Sequence, residues 1–339
     1  MKYDIITIGS ATQDVFLTSK DYQLIPSKKF STGVGECFAF GSKVEVKNIF
    51  LDTGGGGTNT AATFAHLGLK TACLTRVGDD TAGREIHAVL RKHGVATELL
   101  ITTTKEHTAY SSILLSARGE RTVLVYRGAS AHFSSTEISW KKLRARWLYI
   151  SSVGGNIAFL KTLFAFAKKE GIAIAWNPGG GELAYGLKRL APFIKQSAIL
   201  IVNREEATQL FGALPPLKIR GGEGELQRVR PCIFAITDGA KGAFVYADGQ
   251  EWYAPSSGHK AVNTTGAGDA FGSAFVAGIM KGLATADALR LGILNSGLVV
   301  TKMGAKNGIL KRMPSLSLLR KLPIKKPSSV KLNLGSDDG

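Results

Sequence analysis

The chain has 339 residues, 44% of them hydrophobic and 20% charged, with a formal net charge of +17. That composition supports one large core or two modest ones, and no apolar run approaches the ~20 residues that a membrane-spanning helix needs. Cys37, Cys73 and Cys232 are odd in number and lack metal-knuckle spacing, which excludes a disulfide framework and a zinc site.

The apolar stretch 5–8 predicts a first strand, entered directly from Met1-Lys2-Tyr3-Asp4. Without the basic start, long apolar region and cleavage site of a secretory signal, this opening predicts a cytoplasmic protein. Asp14 follows just beyond that strand, where open α/β sheets bind ligands. Residues 16–50 are rich in Gly, Ser and Lys and weakly periodic. Gly54-Gly55-Gly56-Gly57-Thr58-Asn59 then leads into a small-residue helix predicted over 58–67. Alone the run is a flexible glycine loop before a helix, and Asn59 can donate and accept; an N-cap role for Asn59 is the plain alternative.

Strands predicted at 71–74, 147–150, 173–176, 199–202 and 233–237 are interspersed with helices at 82–93, 157–169 and 267–281. The alternation predicts an α/β fold, a doubly wound, mostly parallel sheet flanked by helices. Residues 108–126 read as two strands around Ala117-Arg118-Gly119-Glu120, and with 16–50 they predict a small β-sheet lid over one end. Residues 1–313 form one predicted domain, followed by a basic, partly disordered tail at 314–339.

Asn203-Arg204-Glu205-Glu206 after the strand at 199–202 fits two readings, a capping box or a carboxylate serving a metal. Thr237-Asp238-Gly239-Ala240-Lys241-Gly242 follows another strand, and turn chemistry alone accounts for Asp238-Gly239. The basic residues are dispersed, among them Lys141-Lys142, Lys168-Lys169, Arg228, Arg230 and the cluster at 320–326. They read as solvated surface that attracts anions; no nucleic-acid reading module accompanies them, so a nucleic-acid partner is not expected.

The densest chemistry lies in Asn263-Thr264-Thr265-Gly266-Ala267-Gly268-Asp269. Gly266 and Gly268 allow a sharp turn that aims backbone N–H groups outward at the start of an apolar helix, an anion cradle reinforced by the helix dipole. Asp269 stands at its mouth. A capping carboxylate is the plain alternative.

This segment resembles the C-terminal motif Asp-Thr-x-Gly-Ala-Gly-Asp of the ribokinase-like (pfkB) carbohydrate kinases, departing only at Asn263. Gly-Gly-x-x-x-Asn with a helix ending in Leu67-Gly68 is similar to that family's N-terminal motif. The resemblance implies transfer of the γ-phosphoryl group of ATP to a hydroxyl of a small sugar or sugar derivative, with Mg2+. Asp269 would be the base and Gly266, Ala267 and Gly268 the anion hole. Asp14, Gly54, Gly55 and Asn59 would bind the acceptor, joined by Tyr110 in the lid and by Arg127, which suits an anionic or polar acceptor such as a keto-sugar acid or fructose. Asn203, Thr237, Gly239, Gly242 and Asn295 would serve the nucleotide, and Glu206 the magnesium. Asn263 takes the place of an Asp associated with a monovalent cation, which puts K+ activation in doubt. Ser151-Ser152-Val153-Gly154-Gly155 lacks the carboxylate some ribose kinases place there, which counts against ribose.

A nucleoside kinase of the same family is the nearest rival, distinguished by lid aromatics (Phe16, Phe38, Phe40 or Tyr110) placed to stack a base. A non-catalytic nucleotide-binding or nucleic-acid-binding protein is more remote. Some relatives dimerise through their lids, so the resemblance admits a homodimer. No Walker A motif occurs, and Gly272 comes one residue late for a dinucleotide fingerprint.

Overall fold

A computed structural model describes residues 2–19, 21–30, 33–115, 121–211 and 231–325. The predicted turn at 117–120, Arg228, Arg230 and residues 326–339 lie outside the described residues. β1 (Tyr3–Ile8), β2 (Thr12–Thr18), β3 (Gln23–Pro26), β4 (Val34–Cys37), β5 (Asn48–Gly54), β6 (Thr71–Leu74), β7 (Arg76–Gly78) and β8 (Ile101–Thr103) make up the first half of the strand set. β9 (Ala109–Leu115), β10 (Arg121–Tyr126), β11 (Ala145–Ile150), β12 (Ala173–Trp176), β13 (Ile199–Asn203), β14 (Ile233–Thr237), β15 (Ala243–Ala247) and β16 (Gln250–Ala254) follow. The helices are α1 (Gly56–His66), α2 (Thr81–Lys92), α3 (Ile157–Glu170), α4 (Gly180–Leu183), α5 (Gly186–Gln196), α6 (Arg204–Phe211), α7 (Ala267–Met280), α8 (Thr285–Val299) and α9 (Leu316–Leu319).

The main sheet has eight strands in the order β16-β15-β14-β13-β12-β11-β1-β6. Pairing is parallel from β6 to β14 and antiparallel at β15 and β16. Its inner strands read as nearly unbroken apolar runs because helices cover both faces. On one face Leu160, Leu163 and Phe164 of α3 pack with Trp176, Phe193 and Ile194. On the other, Phe64 of α1 packs with Phe271 and Phe275 of α7 and Leu289 of α8.

The small sheet over one end is present, with four strands in the order β10-β9-β2-β5, and β3 pairs separately with β4. β9 and β10 come from the predicted 108–126 segment, whereas β2 and β5 only overlap the two ends of 16–50, whose middle supplies the separate β3–β4 pair. α1 begins at Gly56, two residues earlier than predicted, because Gly55 takes a backbone φ of 93° and turns the glycine run straight into the helix. Residues 314–325 join the fold instead of starting a loose tail: Leu319 is fully buried, Arg320 pairs with Asp287, and Tyr253 bridges to Lys325.

At the far end of α1, His66 lies 2.9 Å from His93, with Lys311 acting on both rings. Burial, their mutual repulsion and Lys92 and Lys306 hold His93 down at about 4, and burial also lowers His66. Both are therefore neutral in the folded state, so their contribution to stability is present above the ordinary imidazole value of 6.5 and is lost as pH falls toward about 4. Urea midpoints are expected to fall across that window, and His93→Gln to flatten the fall.

Candidate active site

The site is assembled where β1 ends, where the small sheet begins and where α7 starts. Asp14 sits on β2 and is buried, its Oδ1 accepting from Thr12 Oγ1 at 2.8 Å. Burial pushes its carboxyl up; Thr12, Lys306 and Ser111 pull it partly back. Gly54 lies against this carboxylate, so close that a Cβ there would stand 2.0 Å from Asp14 Oδ2. Gly55 cannot carry a side chain either, since its Cβ would stand 2.4 Å from the Ser10 carbonyl. The glycine run is thus dictated by close packing as well as by backbone shape.

Asn59, on the first turns of α1, is buried and reaches across to the C-terminal motif. Its Nδ2 donates to Asp269 Oδ2 at 2.8 Å. It is not the N-cap of α1, which is Gly55. Asp269 lies in the first turn of α7, after the left-handed Gly266 (φ 77°) and with no side chain capping the helix. Being enclosed by protein raises its carboxyl, with Asp14 adding to the rise, while Asn59 and Lys306 lower it. A carboxyl so raised is a better proton acceptor than an exposed Asp, provided it remains ionised.

Two cavities meet at this helix start. One, of about 340 Å³, is lined by Asp14, Gly55, Asn59, Arg127, Gly266 and Asp269, with Ile113, Val123 and Val125 contributing from the small sheet. The other, of about 250 Å³, is lined by Thr237, Gly239, Gly242, Ala267 and Gly268, with His259 and Ser257 from the loop after β16. The motif therefore divides its residues: Gly266 and Asp269 face the first cavity, Ala267 and Gly268 the second. An anion crossing from one to the other passes the unblocked N-terminus of α7.

Several predicted residues stand elsewhere. Tyr110 lines a separate hollow with Gln13, Asp52 and Glu85. Strand alternation sends it to the face opposite Ala109 and Ser111, which line the Asp14 cavity. Asn295 is fully buried, donating to the Ala270 carbonyl and accepting from Leu310 N–H at 2.8 Å each, so it ties α8 to α7 and lines neither cavity. Asn203 and Glu206 form a reciprocal capping box, each side chain accepting a backbone N–H of the other at 2.8 Å. Asn203 thus caps α6 and does not line the second cavity. Glu206 Oε1 makes no hydrogen bond among the described residues, and burial raises this carboxyl. Asn263 is buried and folds its Oδ1 onto Thr265 N–H.

Sequence reading missed Lys306 and Glu182. Lys306 is 1% exposed and donates to Asn59 Oδ1 at 2.7 Å. Glu182 is fully buried and accepts from Val153, Gly155 and Gly179 N–H groups, at 2.9, 2.7 and 2.8 Å. It supplies a carboxylate to the loop at 151–155 that lacks one of its own, and there it orders backbone. Lys306 belongs to no local pattern, whereas Glu182 stands at the third position of α4 and accepts from the N-cap Gly179, a local signal that does not announce its contacts to Val153 and Gly155.

A carboxylate beside a helix N-terminus shared by two cavities has the layout of a group-transfer site in a doubly wound α/β fold. The chain belongs to the pfkB family carbohydrate kinases, whose sequence pattern matches residues 7–312. It is a carbohydrate kinase that moves a phosphoryl group from ATP to a hydroxyl of a small sugar or sugar derivative. It is 25% identical over 284 residues to a ribokinase of Haemophilus influenzae, covering 82% of this chain and 91% of the relative. The ribokinase of Arabidopsis thaliana complexed with ribose and ATP superposes with a TM-score of 0.74 at 20% identity, over 95% of this chain and 98% of that one. The nucleoside kinase of Methanocaldococcus jannaschii gives 0.74 at 18% identity, over 94% and 98%.

Proposed function

We propose that the acceptor is a small sugar acid or related sugar derivative, bound in the Asp14 cavity with its reacting hydroxyl on Asp269 and its far end on Arg127. One observation carries this reading: Arg127 lines the acceptor cavity and makes no ion pair among the described residues. A planar guanidinium in that position matches a carboxylate in two parallel hydrogen bonds. Asp14 and Asn59 hold the remaining hydroxyls, and the small sheet acts as the lid whose Ile113, Val123 and Val125 shield the reaction from water.

A nucleoside acceptor is less well served. The described lining of this cavity contains no aromatic ring to stack a base. Phe16 is buried against Phe50, and Tyr110 faces away.

In this reading Asp269 takes the proton of the acceptor hydroxyl while the α7 N-terminus, at Gly266, Ala267 and Gly268, stabilises the transferring group. ATP lies in the second cavity against Thr237, Gly239 and Gly242. Magnesium suits the donor set. Glu206 lines neither cavity, but its Oε1 makes no hydrogen bond among the described residues and would support, through water, an ion held chiefly by the nucleotide's phosphates. Bound there, it would neutralise phosphate charge. The uncharged Asn263 offers little to a monovalent cation, so the reading includes no potassium requirement. No described helix is long and apolar enough to cross a membrane, and the proposed compartment is the cytoplasm. A homodimer through the lid is supported by the exposed Ile49, Leu51, Leu124 and Tyr126.

The test is a turnover screen of ribose, fructose, keto-sugar acids and nucleosides with ATP, repeated in Arg127→Met. The acidic sugars are expected to lead, with their KM raised about tenfold in Arg127→Met by the ~1.4 kcal/mol that one lost charge-assisted contact represents. Neutral sugars should change little. Preferred turnover of nucleosides, or an equal loss for acidic and neutral sugars, would reject the assignment.

A further inference from the structure

Lys306 lies in the loop after α8, fully enclosed at 1% exposure. Its ammonium donates to Asn59 Oδ1 at 2.7 Å and to the Thr53 carbonyl. Asn59 passes the connection on, Nδ2 donating to Asp269 Oδ2 at 2.8 Å. Ammonium, amide and carboxylate therefore form one chain. A carboxamide has two nearly equal ends, and its partners decide which one faces where. A cation on Oδ1 fixes the donor end of Asn59 toward Asp269.

The placement of the charge is as informative as the hydrogen bonds. Burying an ammonium is costly unless it is paired, yet Lys306 has no carboxylate within ion-pair distance among the described residues. It bonds only neutral oxygens. Burial pulls this ammonium below its ordinary value, and Asp52 on β5, Asp14 on β2 and Asp269 on α7, set around the site, oppose that and favour its charge. A direct Lys–Asp269 pair would hold that carboxylate acidic and weaken it as a base. Set one amide away, the cation offsets burial and the repulsion between Asp14 and Asp269 while leaving Asp269 Oδ1 without a hydrogen bond among the described residues.

We propose that Lys306 is a positioning residue for phosphoryl transfer: from its place on Asn59 Oδ1 it locks the Asn59 amide onto Asp269. The inference rests on Asp269 being the base. Other charged or ionisable groups bearing on the cluster agree with this division of labour. Asp52 is tied to Thr53 N–H and Asn307, burial pushes the Cys73 thiol up to about 12, burial with Asp269 and Glu206 holds the Tyr149 hydroxyl well above its ordinary value, and His93, which Lys306 also lowers, stands at about 4. Burial drives Asp269 and Asp14 upward, and Lys306 opposes both.

The experiment compares wild type, Lys306→Met, Lys306→Gln and Asp269→Asn by kcat across pH 5–9, acceptor KM, ATP KM and thermal midpoint. Lys306→Met is expected to lower kcat about 10- to 100-fold, as loss of a residue that orients a reacting group typically does, with ATP KM unchanged and the acidic limb of the kcat profile displaced upward. Lys306→Gln restores a donor to Asn59 without the charge, so it should recover kcat at alkaline pH and keep the displaced limb. If Lys306→Met does not fold, Asp52→Asn/Lys306→Met removes one acid with the cation and answers the same question. A wild-type kcat and acidic limb in the folded lysine variants overturns the inference. So does a change confined to the thermal midpoint. Turnover surviving in Asp269→Asn would instead remove the base assignment itself, whereas an inactive Asp269→Asn beside unaffected lysine variants rejects only the role of Lys306.

Discussion

Replacing Asp269 by Asn is expected to lower kcat by at least ~10²–10⁴, the span that a positioned general base contributes. The carboxylate is held by Asn59 through Oδ2 alone. Its other oxygen points toward the glycine run, within 3.4 Å of where a Gly56 side chain would begin. The carboxamide introduced by the substitution would fill the same volume but could not accept a proton at any pH in the working range. ATP affinity should be spared, because Ala267 and Gly268, not Asp269, line the cavity proposed for the nucleotide. Equilibrium binding of ATP together with single-turnover transfer separates the two effects. Turnover within about tenfold of wild type would show that the proton leaves by another route.

Gly266→Ala should be nearly as severe for a different reason. Gly266 caps α7 at φ 77°, a region that costs a side-chain-bearing residue about 1–3 kcal/mol. Its Cβ would in addition stand 2.4 Å from Ala305 Cβ. The helix start must shift, and both cavities are built on it. A fall in kcat of about 10² or more is expected, since displacements of an ångström in a reacting array cost that much. The thermal midpoint should drop as well. Gly268→Ala is the control: a Cβ there meets nothing within 4 Å, so any loss of turnover reports crowding of the anion path and not strain.

Much of this was legible in the sequence because it is local. The central strands announce themselves as apolar runs, and β6, β12 and β14 coincide with the predicted ranges since turns bound them closely. Gly266 and the glycine run before Asn59 were readable because a left-handed turn or close approach of other atoms demands glycine at those positions. Tyr110 was misplaced by strand parity, a matter of one residue that an isolated segment does not decide. Asn295 looked available as a polar residue on a late helix, but its partners, Ala270 and Leu310, come from other parts of the chain. Lys306 acts on Asn59, 247 residues away, and Glu182, besides its local contact to Gly179, reaches Gly155 and Val153 27 and 29 residues away. No local pattern distinguishes a lysine that will be buried from one that will be solvated.

Asp14 and Asp269 line one cavity from different parts of the fold. Asp14 rides on β2, a strand of the small sheet paired with β5 and β9, while Asp269 is planted in α7 against the main sheet. On the proposed function, an acceptor that contacts both joins the two sheets, a bridge that water with no further hydroxyls does not offer. Release of phosphate from ATP without acceptor is therefore expected to be slow, because the compound that joins the two sides is also the one that receives the phosphate.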